Sequence, residues 1–238
     1  IGLAFSATML ASARDYYVAP TGDNQSDGSQ SHPWQTLSYA ASQGSAGDVV
    51  HVYSGSYNER VVFPHSGSLG QYITFRAVDA GSTIVDGSGL SVNGRQGIFE
   101  MRDRSYLRIE GFTLRNYSSD SNNAVPVGIL IEGSGDGIEL VANTIESIAS
   151  TANVNQQRLG RDAHGIAVYG NANSPITNLL IRGNELKNLT LGSSEAMVLN
   201  GNIDGFRVLD NYVHDCDNIG IDAIGYEGTG PDDTLDQA

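Results

Sequence analysis

The stretch that decides the fold is GIELVANTIESI (137–148), with its echoes NLLIRGNELKNL (178–189) and GFRVLDNYVHDC (205–216). A second short apolar segment precedes each of them: GILIEG (128–133), GIAVYG (165–170) and AMVLNG (196–201), with GIDAIG (220–225) opening a fourth copy. Superposing the copies brings Asn143, Asn184 and Asn211 to one position. The apolar sets Ile138/Leu179/Phe206, Leu140/Ile181/Val208, Ile145/Leu186/Val213 and Ile148/Leu189/Cys216 fall into columns around them. A short alternating unit with Gly at its turns cannot bury its apolar face alone. Stacked copies can, each as one coil of a parallel β-helix. The recurrent Asn reads as an internal ladder, one amide bonding the next from coil to coil, and so belongs to the fold rather than to chemistry.

Composition agrees with a single all-β solenoid. Among 238 residues, 29 are Gly and only 17% are charged, which suits short strands joined by many tight turns. Of 13 basic residues only Lys187 is a lysine, and 27 acids bring the formal net charge to −14. Such a surface repels nucleic acid and anionic membranes, so neither is expected as a partner, and a monomer is expected. An acidic polysaccharide is repelled too, unless a local Arg cluster or a bound cation intervenes. The single Cys excludes an internal disulfide, and its place in an apolar column marks Cys216 as an inert, inward thiol.

Residues 1–13 (IGLAFSATMLASA) are an uncharged apolar run ending in Ala-Ser-Ala, which reads as the remnant of a signal peptide and predicts a secreted or periplasmic protein. Residues 14–46 are expected to hold a strand (DYYVAP, 15–20), a turn-rich loop and a short N-terminal capping helix over 34–43, where Trp34, Leu37, Ala40 and Ala41 share one helical face. Asp23, Asn24, Asp27 and Ser29 in that loop read as turn residues rather than cation ligands. Coils are expected across 47–238, interrupted by polar stretches at 116–126 and 149–164. Insertions of this kind project at turns, commonly on the binding face. The polar tail after Gly225 predicts that C-terminal coils and a cap are missing.

The opening YYVAPTG…SHPWQTLSYAASQGSAGDVVHVYSGSYNE, followed by YITFRAVDAGSTIVDG, resembles secreted right-handed β-helix proteins of the pectate-lyase-like superfamily. Family 9 pectate lyases and the alginate lyase/chondroitinase B family are similar in layout over 15–225. The resemblance implies a polysaccharide substrate and β-elimination, in which Ca²⁺ or Arg neutralises a uronate carboxylate and a base takes the adjacent proton. Family 9 lyases hold the cation around an Asp-Asp-Gly-x-Asp pattern, with a Lys on a later coil. Here the matching segment, Asn218 to Asp222, keeps one acid, Asp222, and the preceding coil has Val198. The other family pairs a Glu with a Lys five residues on, where this chain offers Glu195 and Asn200.

The residues themselves nominate a site. Strand alternation turns Ala167, Val198 and Asp222 outward, and places His164 beside Glu195 on neighbouring coils about 4.8 Å apart. With Arg161 they are the candidate acid–base and clamping groups, Asp222 completing the catalytic set. Arg158, Tyr169 and Asn200 are candidate substrate contacts; among the aromatic residues only Tyr169 and Tyr212 face outward. Asp215, Asp217, Asp222 and Glu227 form the densest acidic stretch and are the candidate ligands of Ca²⁺. The same carboxylates equally suit an inverting glycoside hydrolase, since Asp222 with Asp217 or Glu195 spans a groove. A non-catalytic glycan-binding or structural β-helix is the third reading. A turn-stabilising role for His164 and Glu195, and solvated turns for the acids, are the plain alternatives at each position.

Overall fold

A computed structural model describes residues 12–153 and 161–231; the expected leader and Arg158 lie outside the described residues, apart from the last two leader positions. Strands are numbered in chain order and form three sheets. The first runs β1 (Asp15–Val18), β2 (Val49–Val52), β5 (Ile73–Ala77), β8 (Leu107–Glu110), β12 (Glu139–Val141) and β15 (Ile176–Arg182), with β11 (Gly135–Asp136) and β18 (Ile203–Leu209) also on β15. The second runs β4 (Val61–Val62), β7 (Gly94–Arg102), β10 (Ala124–Glu132), β14 (His164–Gly170), β17 (Glu195–Gly201) and β20 (Ile219–Ile224). The third runs β3 (Gly55–Tyr57), β6 (Thr83–Asp86), β9 (Thr113–Ser119), β13 (Thr144–Ser150), β16 (Glu185–Leu189) and β19 (Tyr212–Cys216). The pairings are parallel throughout, and the chain visits the sheets in rotation, which makes a parallel β-helix.

The register is the one the repeat dictates. Leu140 pairs with Ile181 and Ile181 with Val208; Ile145 pairs with Leu186 and Leu186 with Val213; Leu189 pairs with Cys216. These side chains fill the bore, and nearer the N-terminal end Phe63, Phe75, Phe99 and Phe112 pack edge to face at 5.1–5.6 Å. Cys216 is half-buried and packs on this core.

From β8 onward each coil turns from the first sheet to the third at a left-handed residue: Gly111, Ala142, Gly183 and Asp210 have φ of 81°, 52°, 65° and 54° and stack in one column. For Ala142 and Asp210 this conformation costs on the order of 1–2 kcal/mol. The Asn that follows holds the corner. Asn184 Oδ1 accepts from the backbone N–H of Asn143 (3.0 Å), and Asn211 Oδ1 from that of Asn184 (2.9 Å). The side-chain amides donate to the carbonyls of Ile109, Leu140 and Ile181 at 2.9–3.1 Å. The ladder is thus a bonded feature of the fold.

At the N-terminal end the helix α1 (Leu37–Gln43) closes the bore with Leu37, Ala40 and Ala41, all buried. It starts three residues later than its apolar spacing predicts. Trp34 instead bridges Val18 and stacks on Tyr16 at 4.5 Å, while Thr36 caps the helix and Glu59 accepts from the N–H groups of Leu37 and Ser38 at 2.9 Å.

The outward column of the second sheet differs from a simple open groove. Leu130, Ala167 and Val198 are in register and, with Val127, form a second buried apolar cluster outside the bore, against which Val125, Tyr169 and Ile224 pack. In the last described coil Leu209, Tyr212, Ile219 and Ile221 are exposed along β18, β19 and β20.

Candidate functional site

The outer face of the second sheet carries a cavity of about 240 Å³ lined by Arg95 from β7, Val125 from β10, His164 and Tyr169 from β14, and Glu195, Val198 and Asn200 from β17. Ile224, Glu227, Asp162 and Ser194 complete it. Parallel pairing is what assembles these groups, because residues from five successive strands, β7 to β20 of the second sheet, share one face at strand spacing.

His164 is buried, and desolvation pushes its pKa down to about 4, so the ring is neutral at pH 7. Its Nδ1 donates to the Glu195 carbonyl at 3.0 Å, which leaves Nε2 to accept from the Tyr169 hydroxyl at 3.2 Å. The Glu195 carboxylate lies 3.7 Å from Nδ1, too far for a hydrogen bond to a group already donating elsewhere. Burial, then the charges of Asp222, Asp162 and Glu227, raise the Glu195 pKa above its ordinary value. Burial does the same for the Tyr169 phenol, against the lowering effect of Arg95.

Arg95 sits over the Tyr169 ring, its Cζ 3.6 Å from the ring centre, and reaches Glu132 at 3.3 Å. It ends an ion-pair ladder along the outer face: Arg60 to Glu100, Glu100 to Arg102, and Arg102 to Glu132. Sequence reasoning missed Arg95, which sits two coils before His164 and matches no motif. The signal available was the register that puts Arg95 level with Val125, two residues before the partner of His164.

The nominated residues separate into two groups. His164, Glu195, Tyr169 and Asn200 converge on the cavity, with Glu227 at its rim holding the Asn200 amide at 2.9 Å. Asp222 stands beside Val198 on the same face and acts on Glu195 electrostatically. Arg161 turns away to Asp217 at 3.4 Å, while its neighbour Asp162 accepts from Ser194 at 2.9 Å in the wall of the cavity. The four acids named for calcium are dispersed. Asp215 pairs with His214 and Asp217 accepts from the Leu191 N–H and Arg161, leaving only Asp222 and Glu227 near the cavity. Among the described residues, no three His, Cys, Asp or Glu are grouped as a metal site. Lys187 is on the third sheet, paired with Glu185 at 2.9 Å.

A family model described as a Pel9A-like, right-handed β-helix region matches residues 16–211. The chain belongs to this family. Family membership confirms the right hand of the helix and takes in Arg95, His164, Tyr169, Glu195 and Asn200. Over 217 residues the chain is 39% identical to the uncharacterised protein YwoF of Bacillus subtilis, covering 90% of this chain and 45% of that protein. It is 27% identical over 128 residues to the pectate lyase PEL9 of Emericella nidulans, covering 47% of this chain and 31% of that one. The chain therefore spans less than half the length of these relatives. In structure it is similar to the GH136 lacto-N-biosidase of Eubacterium ramulus, with a TM-score of 0.71 at 16% identity over 88% of this chain and 43% of that one. That likeness is one of fold.

Proposed function

We propose that this chain contributes the cleavage site of an exported, polysaccharide-degrading enzyme, with Glu195 as the group that protonates the leaving glycosidic oxygen. The observation that carries the reading is a carboxyl group of raised pKa in a cavity on the outer face of a β-helix sheet, where a glycan can lie across the coils. His164 holds the Glu195 backbone and Tyr169 covers the floor, so the carboxyl is presented by rigid elements.

Elimination is the chemistry that kinship favours, since the chain belongs to a Pel9A-like family and has a pectate lyase among its relatives. In that reaction Glu195 acts as the acid, and the proton next to the uronate carboxylate goes to a base on another part of the protein. Hydrolysis is favoured by a separate observation: Asp162, Asp222 and Glu227 lie close enough to act on Glu195 electrostatically, and inversion needs a second carboxyl group opposite the acid.

The deciding experiment follows product chemistry on pectate, alginate, rhamnogalacturonan and neutral glycans. Ultraviolet absorbance from the unsaturated sugar, with one new reducing end per cut, supports elimination. Reducing ends without that absorbance support hydrolysis. Elimination abolished by a chelator and restored by Ca²⁺ would bring calcium into the site. No cleavage of any glycan by the full-length protein would refute the proposal.

A further inference from the structure

We propose that the cavity is a subsite for a single sugar ring that carries no carboxylate, and that it turns a uronate away. This rests on the reading of the cavity as a glycan site and adds the chemical class of its occupant. At about 240 Å³ it lies below the range of pockets that hold drug-sized molecules, and suits one ring of a longer chain.

The wall is rich in acceptors and poor in free donors. Asp162 and Glu227 present carboxyl oxygens, beside the Glu195 carboxyl that gives its proton to the leaving oxygen in the proposed reaction. The Tyr169 hydroxyl spends its proton on His164 Nε2, so its oxygen faces a ligand as an acceptor. The Asn200 amide spends a donor on Glu227, and the Ser194 hydroxyl donates to Asp162. A ligand that brings many O–H donors satisfies such a wall, and a sugar ring does so. Its C–H face matches the apolar floor of Val125, Val198 and Ile224 beside the Tyr169 ring.

A uronate meets the opposite situation. Arg95 is the one cation lining the cavity among the described residues, and its charge is shared with Glu132 at 3.3 Å while it sits over the Tyr169 ring. A sugar carboxylate here would face the carboxylates of Asp162 and Glu227 at short range, where charges are poorly screened. The polymer is then one with carboxylate-free rings at this position, whether its cleaved linkage is flanked by a uronate further along the face or not.

The test is isothermal titration of the full-length protein at pH 7 with tetrasaccharides of gluco, manno, galacto and xylo configuration, and with tetragalacturonate. One or more neutral tetrasaccharides should bind at least about tenfold more tightly than tetragalacturonate, the discrimination expected of close like charges. Tyr169→Ala should abolish that binding. The double variant Asp162→Asn/Glu227→Gln should narrow the gap to tetragalacturonate while its circular dichroism stays native. Tetragalacturonate binding as tightly as every neutral sugar, no neutral sugar binding at all, or neutral binding indifferent to Tyr169→Ala overturns the inference. Neutral binding without any cleavage would refute the catalytic reading and leave this one standing. Cleavage with uronate in the cavity would do the reverse.

Discussion

Replacing Asn184 by Ala removes the middle rung of the amide ladder. Its side chain makes four hydrogen bonds: two accepted from the backbone and side chain of Asn143, and two donated to the Leu140 carbonyl and to Asn211 Oδ1. All are 3.0 Å long, and the residue is 1% exposed, so water cannot replace the lost partners. At about 1 kcal/mol net for each bond the loss comes to about 4 kcal/mol, before any penalty for the buried groups left unpaired. Asn211→Ala is the internal control. It breaks three bonds, but at a half-buried position where water can reach the ends, and should cost about half as much. Urea unfolding followed by far-ultraviolet circular dichroism measures both on the same chain. Asn184→Asp should do no better than Ala at pH 7, because a carboxylate keeps the acceptors, loses the donors and buries a charge. A loss below about 1 kcal/mol for Asn184→Ala, or equal losses at 184 and 211, would refute the view that the ladder carries the corners.

Glu195→Gln keeps shape and removes the titrating proton; cleavage should fall by about 10²–10⁴-fold with glycan binding retained, read from initial rates and titration side by side. Burial depresses the His164 pKa from 6.5 to about 4, so the unfolded chain takes up a proton before the folded one does. Its contribution is therefore complete above about pH 6.5 and is lost as pH falls toward 4, by about 3 kcal/mol in all, and urea midpoints at pH 4.5 and 7 should converge in His164→Phe relative to wild type. Gly192 has φ of +71°, and a Cβ there would lie 1.8 Å from the Arg161 carbonyl oxygen, so Gly192→Ala should push the segment bearing Asp162, bridged to Gly192, outward and weaken both stability and glycan binding, measurable by melting temperature and titration.

The coil was legible because its determinants recur. Leu140, Ile181 and Val208 repeat at a spacing set by the Asn ladder, and stacking strands in parallel preserves that alignment in space. The meeting of His164 with Glu195 followed from the same alignment, though its form did not: the imidazole bonds the backbone carbonyl, a contact no side-chain pattern encodes. Arg95 stayed hidden because its side chain crosses from β7 to the Tyr169 ring on β14, passing over β10, and such reach depends on rotamers. The acidic stretch 215–227 misled for a related reason. Asp215 is on β19 in the third sheet, and Asp222 on β20 in the second. Counting acids along the chain brought them together; the corner between β19 and β20 sends them to different sides.

The left-handed corners have one more consequence. They, the amide ladder, the inward stacks and the outer apolar cluster of Leu130, Ala167 and Val198 fix the course of each coil, and leave the last outward position of β10, β14 and β17 to vary. That position is a socket on a fixed frame: Glu132, Tyr169 and Asn200 occupy equivalent sites in successive turns. A designer can therefore write a new triad across the positions of Glu132, Tyr169 and Asn200 while keeping Leu130, Ala167 and Val198 beneath it.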